Sequence, residues 1–134
     1  MQSKKKHLMI YGANGYSAQL IIEELIARNI KPILAGRNKK AIAKVAEKFS
    51  CQYNIFDLTE EVKALEALKN IHTVIHCAGP YKYTAKEMID LCLASKTNYL
   101  DITGEMPSLA YAFGCSKKAK EEGIVILPSV GFDV

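Results

Sequence analysis

The stretch Tyr11-Gly12-Ala13-Asn14-Gly15-Tyr16-Ser17-Ala18 decides the fold. It follows a short apolar run, residues 7–11, and precedes a segment in which Ala18, Ile21, Ile22, Leu25 and Ile26 recur every three or four positions. An apolar run ending at glycine reads as a buried strand, and the second spacing reads as a helix with one apolar face. The junction is therefore a strand, a G-x-x-G-x-x-A turn and a helix. Gly12 permits the tight turn, Gly15 lets the backbone approach a pyrophosphate, and Ala18 is small enough for helix and strand to pack. A helix starting near Tyr16 points free N–H groups and the positive end of its dipole at the phosphates. The spacing is not the strict G-x-G-x-x-G, and a purely structural turn between strand and helix would use similar residues.

The same alternation continues along the chain. Residues 32–35, 52–56, 73–77, 99–102 and 124–127 read as strands. Residues 17–28, 38–49, 59–68, 84–94 and 107–122 read as helices. Ile42, Val45, Ala46 and Phe49 share one helix face, as do Ala85, Met88, Ile89, Cys92 and Leu93. Asn29 is a stop signal for the first helix and Gly123 for the last. Thr59 is the expected N-cap of the third helix, with Glu60 and Glu61 in its first turn. Six strands alternating with five helices imply βαβ crossovers and a parallel sheet covered on both faces. Right-handed crossovers lead to an α/β Rossmann fold, doubly wound, with strand order 3-2-1-4-5-6. No linker or repeat interrupts residues 1–134, so the whole length reads as one domain.

Composition excludes several classes of function. Of the 134 residues, 49% are hydrophobic and 24% charged, which is ordinary globular usage. The net charge of +4 is partly Lys4, Lys5 and Lys6, read as a solvated, frayed N-terminus. No basic face with base-reading groups accompanies them, so nucleic acid is not an expected partner. Cys51, Cys77, Cys92 and Cys115 form no CxxC pair and have no histidine at a zinc interval, so no metal site is expected. Buried, reduced thiols point to a reducing compartment, and so to the cytoplasm. No apolar run approaches the ~18 residues of a membrane span, and no long apolar segment marks a signal peptide.

Four further motifs carry chemistry. Gly36-Arg37-Asn38 ends the second strand about 20 residues after the glycine turn, where NAD enzymes place an acid on the ribose hydroxyls. Here the position holds Arg37, whose planar fork matches a 2′-phosphate, with Lys39 and Lys40 behind it. The expected cofactor is therefore NADP(H); a surface arginine at a strand end is the plain alternative. Asp57 either accepts from the adenine amino group or caps the following helix. Cys77-Ala78-Gly79-Pro80 ends the fourth strand, and its small residues leave room for a dinucleotide to cross the switch point, though a tight turn needs them equally. Thr103 and Glu105, after Asp101, sit where the nicotinamide side would lie, or else form a helix N-cap. Asp133 is placed to border a substrate cleft. His7, His72 and His76 read as core or surface histidines rather than catalysts. The chain has no Tyr-x-x-x-Lys pair and no GxxxxGK[ST] loop, which argues against a short-chain dehydrogenase and an NTPase. It contains no recognisable acid–base pair, so the catalytic residues are unassigned.

Five motifs occur in register. They are the glycine turn, Leu34-Ala35-Gly36-Arg37-Asn38, Cys77-Ala78-Gly79-Pro80-Tyr81, Tyr99-Leu100-Asp101-Ile102-Thr103-Gly104-Glu105 and Val130-Gly131-Phe132-Asp133. Together they resemble the saccharopine dehydrogenase-like family, and particularly its branch with the trans-acting enoyl reductases. The resemblance implies an NADP-binding N-terminal domain followed by a larger substrate and dimerisation domain that lies beyond Val134. It carries over Gly12, Gly15, Arg37 and the turn from Cys77 to Pro80 as cofactor contacts. Phe132 and Val134 replace the Leu and Pro of the Gly-Leu-Asp-Pro-Gly stretch in saccharopine reductases, which argues against saccharopine as substrate. The expected function is hydride transfer to or from a small molecule, with Ala13, Asn14, Tyr16, Ser17, Asn38 and Asp57 completing the cofactor site. The rival is a non-catalytic NADP-binding or redox-sensing module.

Overall fold

The computed structural model describes residues 5–130. Lys4, Gly131, Phe132, Asp133 and Val134, all singled out in the sequence, lie outside the described residues. The element order is β1 (His7–Tyr11), α1 (Tyr16–Ala27), β2 (Ile33–Gly36), α2 (Lys39–Phe49), β3 (Tyr53–Ile55) and α3 (Glu61–Leu68). It continues with β4 (Ile71–His76), α4 (Tyr81–Ser95), β5 (Asn98–Asp101), α5 (Met106–Gly114), α6 (Ser116–Glu122) and β6 (Ile126–Leu127).

All strand pairs are parallel, in the order β3-β2-β1-β4-β5-β6. The expected Rossmann arrangement is therefore present. From β1 the chain winds outward through β2 and β3, then returns to β4 and winds the other way. The strand ends of β1 and β4 are level, with Tyr11 opposite His76, and Cys77 N donates to Tyr11 O at 2.8 Å. That level edge is the switch point, where a parallel sheet opens a crevice.

Alternate strand residues supply two cores, one on each face of the sheet. Ile10 and Leu34 pack with Ala18, Ile22, Ile42 and Val45 beneath α1 and α2. Met9, Tyr11, Val74 and Tyr99 pack with Leu68, Met88, Ile89 and Cys92 beneath the remaining helices. Each fully buried large side chain contributes roughly 1.5–3 kcal/mol by leaving water. The apolar stripes expected on α2 and α4 are the buried ones, except that Phe49 at the end of α2 is only partly buried.

The strands expected over residues 73–77 and 124–127 are Ile71–His76 and Ile126–Leu127, and three of the expected helices differ by two residues or more. The helix expected over residues 107–122 is two helices, α5 and α6, meeting at Cys115. Gly114 weakens the helix there, and the Ser116 hydroxyl donates to Phe113 O at 2.7 Å, competing with the backbone ladder. Thr59 is not the cap of α3, which starts at Glu61; its amide and hydroxyl both donate to Asp57 Oδ1, at 2.9 and 2.8 Å. Helix α4 starts at Tyr81, three residues before the expected Thr84. The stop at Asn29 stands, with a left-handed φ of 63°.

Candidate functional site

One cleft of about 780 Å³ opens along the carboxyl edge of the sheet. It joins the glycine turn, the end of β2, the β3–α3 turn and the β4–α4 turn. Its volume lies in the usual range of about 300–1,000 Å³ for small-molecule sites.

The glycine turn forms the floor. Gly12 has φ +82°, and a Cβ there would lie 2.7–2.8 Å from Ala78 N, Cα and Cβ. Glycine is thus required by the contact between the two turns. Gly12 N and Ala13 N both donate to Ala35 O, at 2.8 and 3.2 Å, which ties the turn to β2. Gly15 is different. A Cβ there would meet only Gly12 O at 3.5 Å, an ordinary contact, and its φ of −75° suits any residue. The fold tolerates a side chain at Gly15; the open space above it is what a side chain would fill. Gly15 is also the N-cap of α1 and no side chain caps that helix, so the first-turn amides are available to a ligand.

At the β2 end, Arg37 is exposed on the cleft wall, and among the described residues no carboxylate forms a salt bridge with it. Asn38 lines the cleft too, but its Oδ1 accepts from Ala41 N at 3.0 Å and caps α2. Asp57 closes its own turn: besides the two bonds to Thr59, its amide donates to Glu60 Oε1 at 3.1 Å. The bonds from Thr59, assisted by the nearby Arg37 guanidinium, hold its carboxyl below the ordinary range. Of the two readings of Asp57, the local turn is visible, though as a turn before α3 and not a helix cap.

The β4–α4 turn is pinned from below by a buried relay. The Thr84 hydroxyl donates to Ala78 O at 2.6 Å. Having one proton, it faces His76 Nε2, 2.9 Å away, as acceptor. His76 is therefore protonated on Nε2, and its bare Nδ1 has no partner among the described residues. Burial among Tyr11, Tyr81 and Tyr99 pushes its pKa down to about 3, so the ring is neutral. His76 is a core histidine, as its position in β4 suggested. Cys77 is half-buried on the cleft wall; burial, with a smaller contribution from Asp101, pushes its thiol up to about 12.

The structure brings ten sequence-singled residues to this cleft: Gly12, Asn14, Gly15, Arg37, Asn38, Asp57, Cys77, Ala78, Gly79 and Pro80. Ala13 is buried in the core beneath α1, and the Tyr16 and Ser17 side chains project into solvent outside the cleft wall. Sequence reasoning missed Tyr83, Thr84 and Glu87, which line the cleft from the first turns of α4. Their i, i+1, i+4 spacing is a helix face, legible only once α4 is started at Tyr81.

The model of the saccharopine dehydrogenase NADP binding domain matches residues 8–127. The chain belongs to that family. This NADP-binding domain is 28% identical to a saccharopine dehydrogenase-like oxidoreductase of Bos taurus, over 98% of the chain and 35% of the relative. It is 25% identical to a trans-acting enoyl reductase of Mycobacterium ulcerans, over 94% of the chain and 32% of the relative. The domain thus spans about a third of the length of the curated relatives it matches. Among solved structures, apo saccharopine dehydrogenase (L-Glu forming) from Saccharomyces cerevisiae superimposes with a TM-score of 0.80 at 21% identity, covering 96% of this chain and 28% of that one. That likeness shows the shared fold. The cleft fits the family's cofactor on its own geometry: uncapped helix amides, an open approach at Gly15 and an exposed guanidinium at one end. Among the described residues no helix is long and apolar enough to cross a membrane, and no side-chain group is placed to hold a metal ion.

Proposed function

We propose that this domain binds NADP(H) across the switch point and presents it to a small-molecule substrate in a longer oxidoreductase. The single observation that carries the reading is that one continuous cleft joins Gly15, Arg37 and the turn from Cys77 to Pro80. In this reading the pyrophosphate lies on the backbone at Gly12, Asn14 and Gly15, facing the α1 amides of Tyr16 and Ser17. The 2′-phosphate pairs with Arg37 beside Asn38. The free Asp57 oxygen accepts from the adenine amino group, while Ala13 supplies only backbone. The small residues Cys77, Ala78, Gly79 and Pro80 border the nicotinamide half. When bound, the nicotinamide supplies or takes the hydride; the protein binds, orients and excludes water.

Residues 1–134 act as the cofactor domain, with substrate recognition and any homodimer contact supplied by the further length that the curated relatives possess. Four free thiols support placement in the cytoplasm. Calorimetric titration with NADPH, NADH and 2′,5′-ADP tests the reading. Binding of NADPH and 2′,5′-ADP supports it, and no binding of any of the three refutes it.

A further inference from the structure

Glu105 does not cap its own helix. It occupies the N-cap position of α5, where its side chain makes no bond to that helix. Its carboxylate crosses to α4 instead: Oε2 accepts from Tyr81 N at 2.8 Å and Oε1 from Lys82 N at 3.0 Å. These are first-turn amides without intrahelical acceptors, and Pro80 at the N-cap of α4 offers no side-chain cap. A carboxylate here satisfies both donors and meets the positive end of the helix dipole.

Glu105 is absent from the cleft wall, but Gly79 and Pro80, immediately before those amides, line it. The two ends of this turn are thus held separately. Thr84 holds Ala78 O from below, and Glu105 holds the α4 side. Glu105 is itself fixed from behind. Its amide donates to Thr103 Oγ1 at 3.0 Å, and Thr103 N donates to buried Asp101 Oδ1 at 3.0 Å. Ser129 N reaches the same Oδ1 at 2.8 Å, and the Ser129 hydroxyl donates to Thr103 O. A continuous polar chain therefore runs from Ser129, past the end of β6, to the β4–α4 turn.

Sheet order assigns the turn to one half of the ligand. Arg37 and Asp57 lie on the β2–β3 side, while the turn and Glu105 lie on the β4–β5 side, and a dinucleotide straddles the two. We infer that Glu105 is a positioning residue for the nicotinamide half of the cofactor, acting through the α4 amides on Gly79 and Pro80. The inference rests on the cofactor reading given above.

Calorimetry on wild type, Glu105→Ala and Glu105→Gln with NADPH and with 2′,5′-ADP tests it. Glu105→Ala is expected to weaken NADPH about tenfold, the order of one lost charge-assisted contact, and to leave 2′,5′-ADP affinity unchanged. Glu105→Gln, which keeps one acceptor oxygen, is expected to recover part of the loss; if the alanine variant does not fold, the glutamine variant alone decides. A structural role alone would lower the melting temperature without separating the two ligands. Unchanged NADPH affinity in the folded variants overturns the inference, as does parallel weakening of both ligands. Wild-type protein that binds neither ligand overturns the cofactor reading, and this inference with it.

Discussion

Gly12 and Ala78 stand back to back, so that a Cβ on Gly12 would lie 2.8 Å from the Ala78 Cβ. The turn after β1 and the turn after β4 are thereby one packed unit, and the cleft passes over their junction. Gly12→Ala forces both a left-handed φ and an overlap with backbone, at a cost of about 2–5 kcal/mol. Urea unfolding should show a midpoint lowered accordingly. An unchanged midpoint would mean that the turns are not in contact.

Gly15 behaves in the opposite way. Gly15→Val places a branched side chain in open space above the turn, against nothing but Gly12 O. The fold should survive, as circular dichroism will report, while NADPH binding is lost in calorimetry. Wild-type affinity in this variant would remove Gly15 from the phosphate site.

His76 makes the domain acid-sensitive. Its folded pKa, pushed down to about 3, lies below the ordinary value of 6.5. The folded state therefore binds fewer protons than the unfolded chain between those values, and stability rises with pH across that window. The stabilisation is complete above about pH 6.5 and is lost toward pH 3, at up to about 1.4 kcal/mol per pH unit. His76→Gln should flatten this part of the stability–pH curve, although the variant starts lower. Parallel curves for the two proteins would contradict the burial of a neutral imidazole.

The thiols should react in a defined order. Cys92 is fully buried and its thiol is pushed well above the ordinary range by burial, so alkylation should wait for unfolding. Cys51, Cys77 and Cys115 are only half-buried, a correction to the expectation of buried thiols, and Cys77 faces the cleft. Mass spectrometry after brief alkylation should find Cys77 slow and slower still with NADPH, and Cys51 and Cys115 indifferent to NADPH. Equal protection of all four would place the cofactor elsewhere.

The elements legible in the sequence were those whose signal is local. The period of Ile42, Val45 and Ala46 marks α2, and Gly12 and Gly15 mark the turn because their backbones carry its geometry. What escaped was what distant residues decide. Helix α4 begins at Tyr81 because Glu105, 24 positions later, supplies its cap, and no window around Tyr81 contains that information. Thr59 looks like a cap by residue type, yet Asp57 takes its hydroxyl first. The helix face of Tyr83, Thr84 and Glu87 was missed with the start of α4.

Whether Arg37 holds a 2′-phosphate in an NADP(H) site is read from the Kd ratio of NADH to NADPH at low salt. An arginine–phosphate contact is charge-assisted, and hydrogen bonds to charged groups contribute about 1.5–3 kcal/mol. With the added field of Lys39 and Lys40, wild type should therefore favour NADPH by roughly ten- to a few-hundredfold, and the ratio should shrink as salt is raised. Arg37→Ala should bring the ratio close to one while leaving NADH affinity nearly unchanged, because the contact exists only with the 2′-phosphate. Equal binding of NADH and NADPH to the wild-type domain at low salt would leave Arg37 a plain surface arginine with no 2′-phosphate contact.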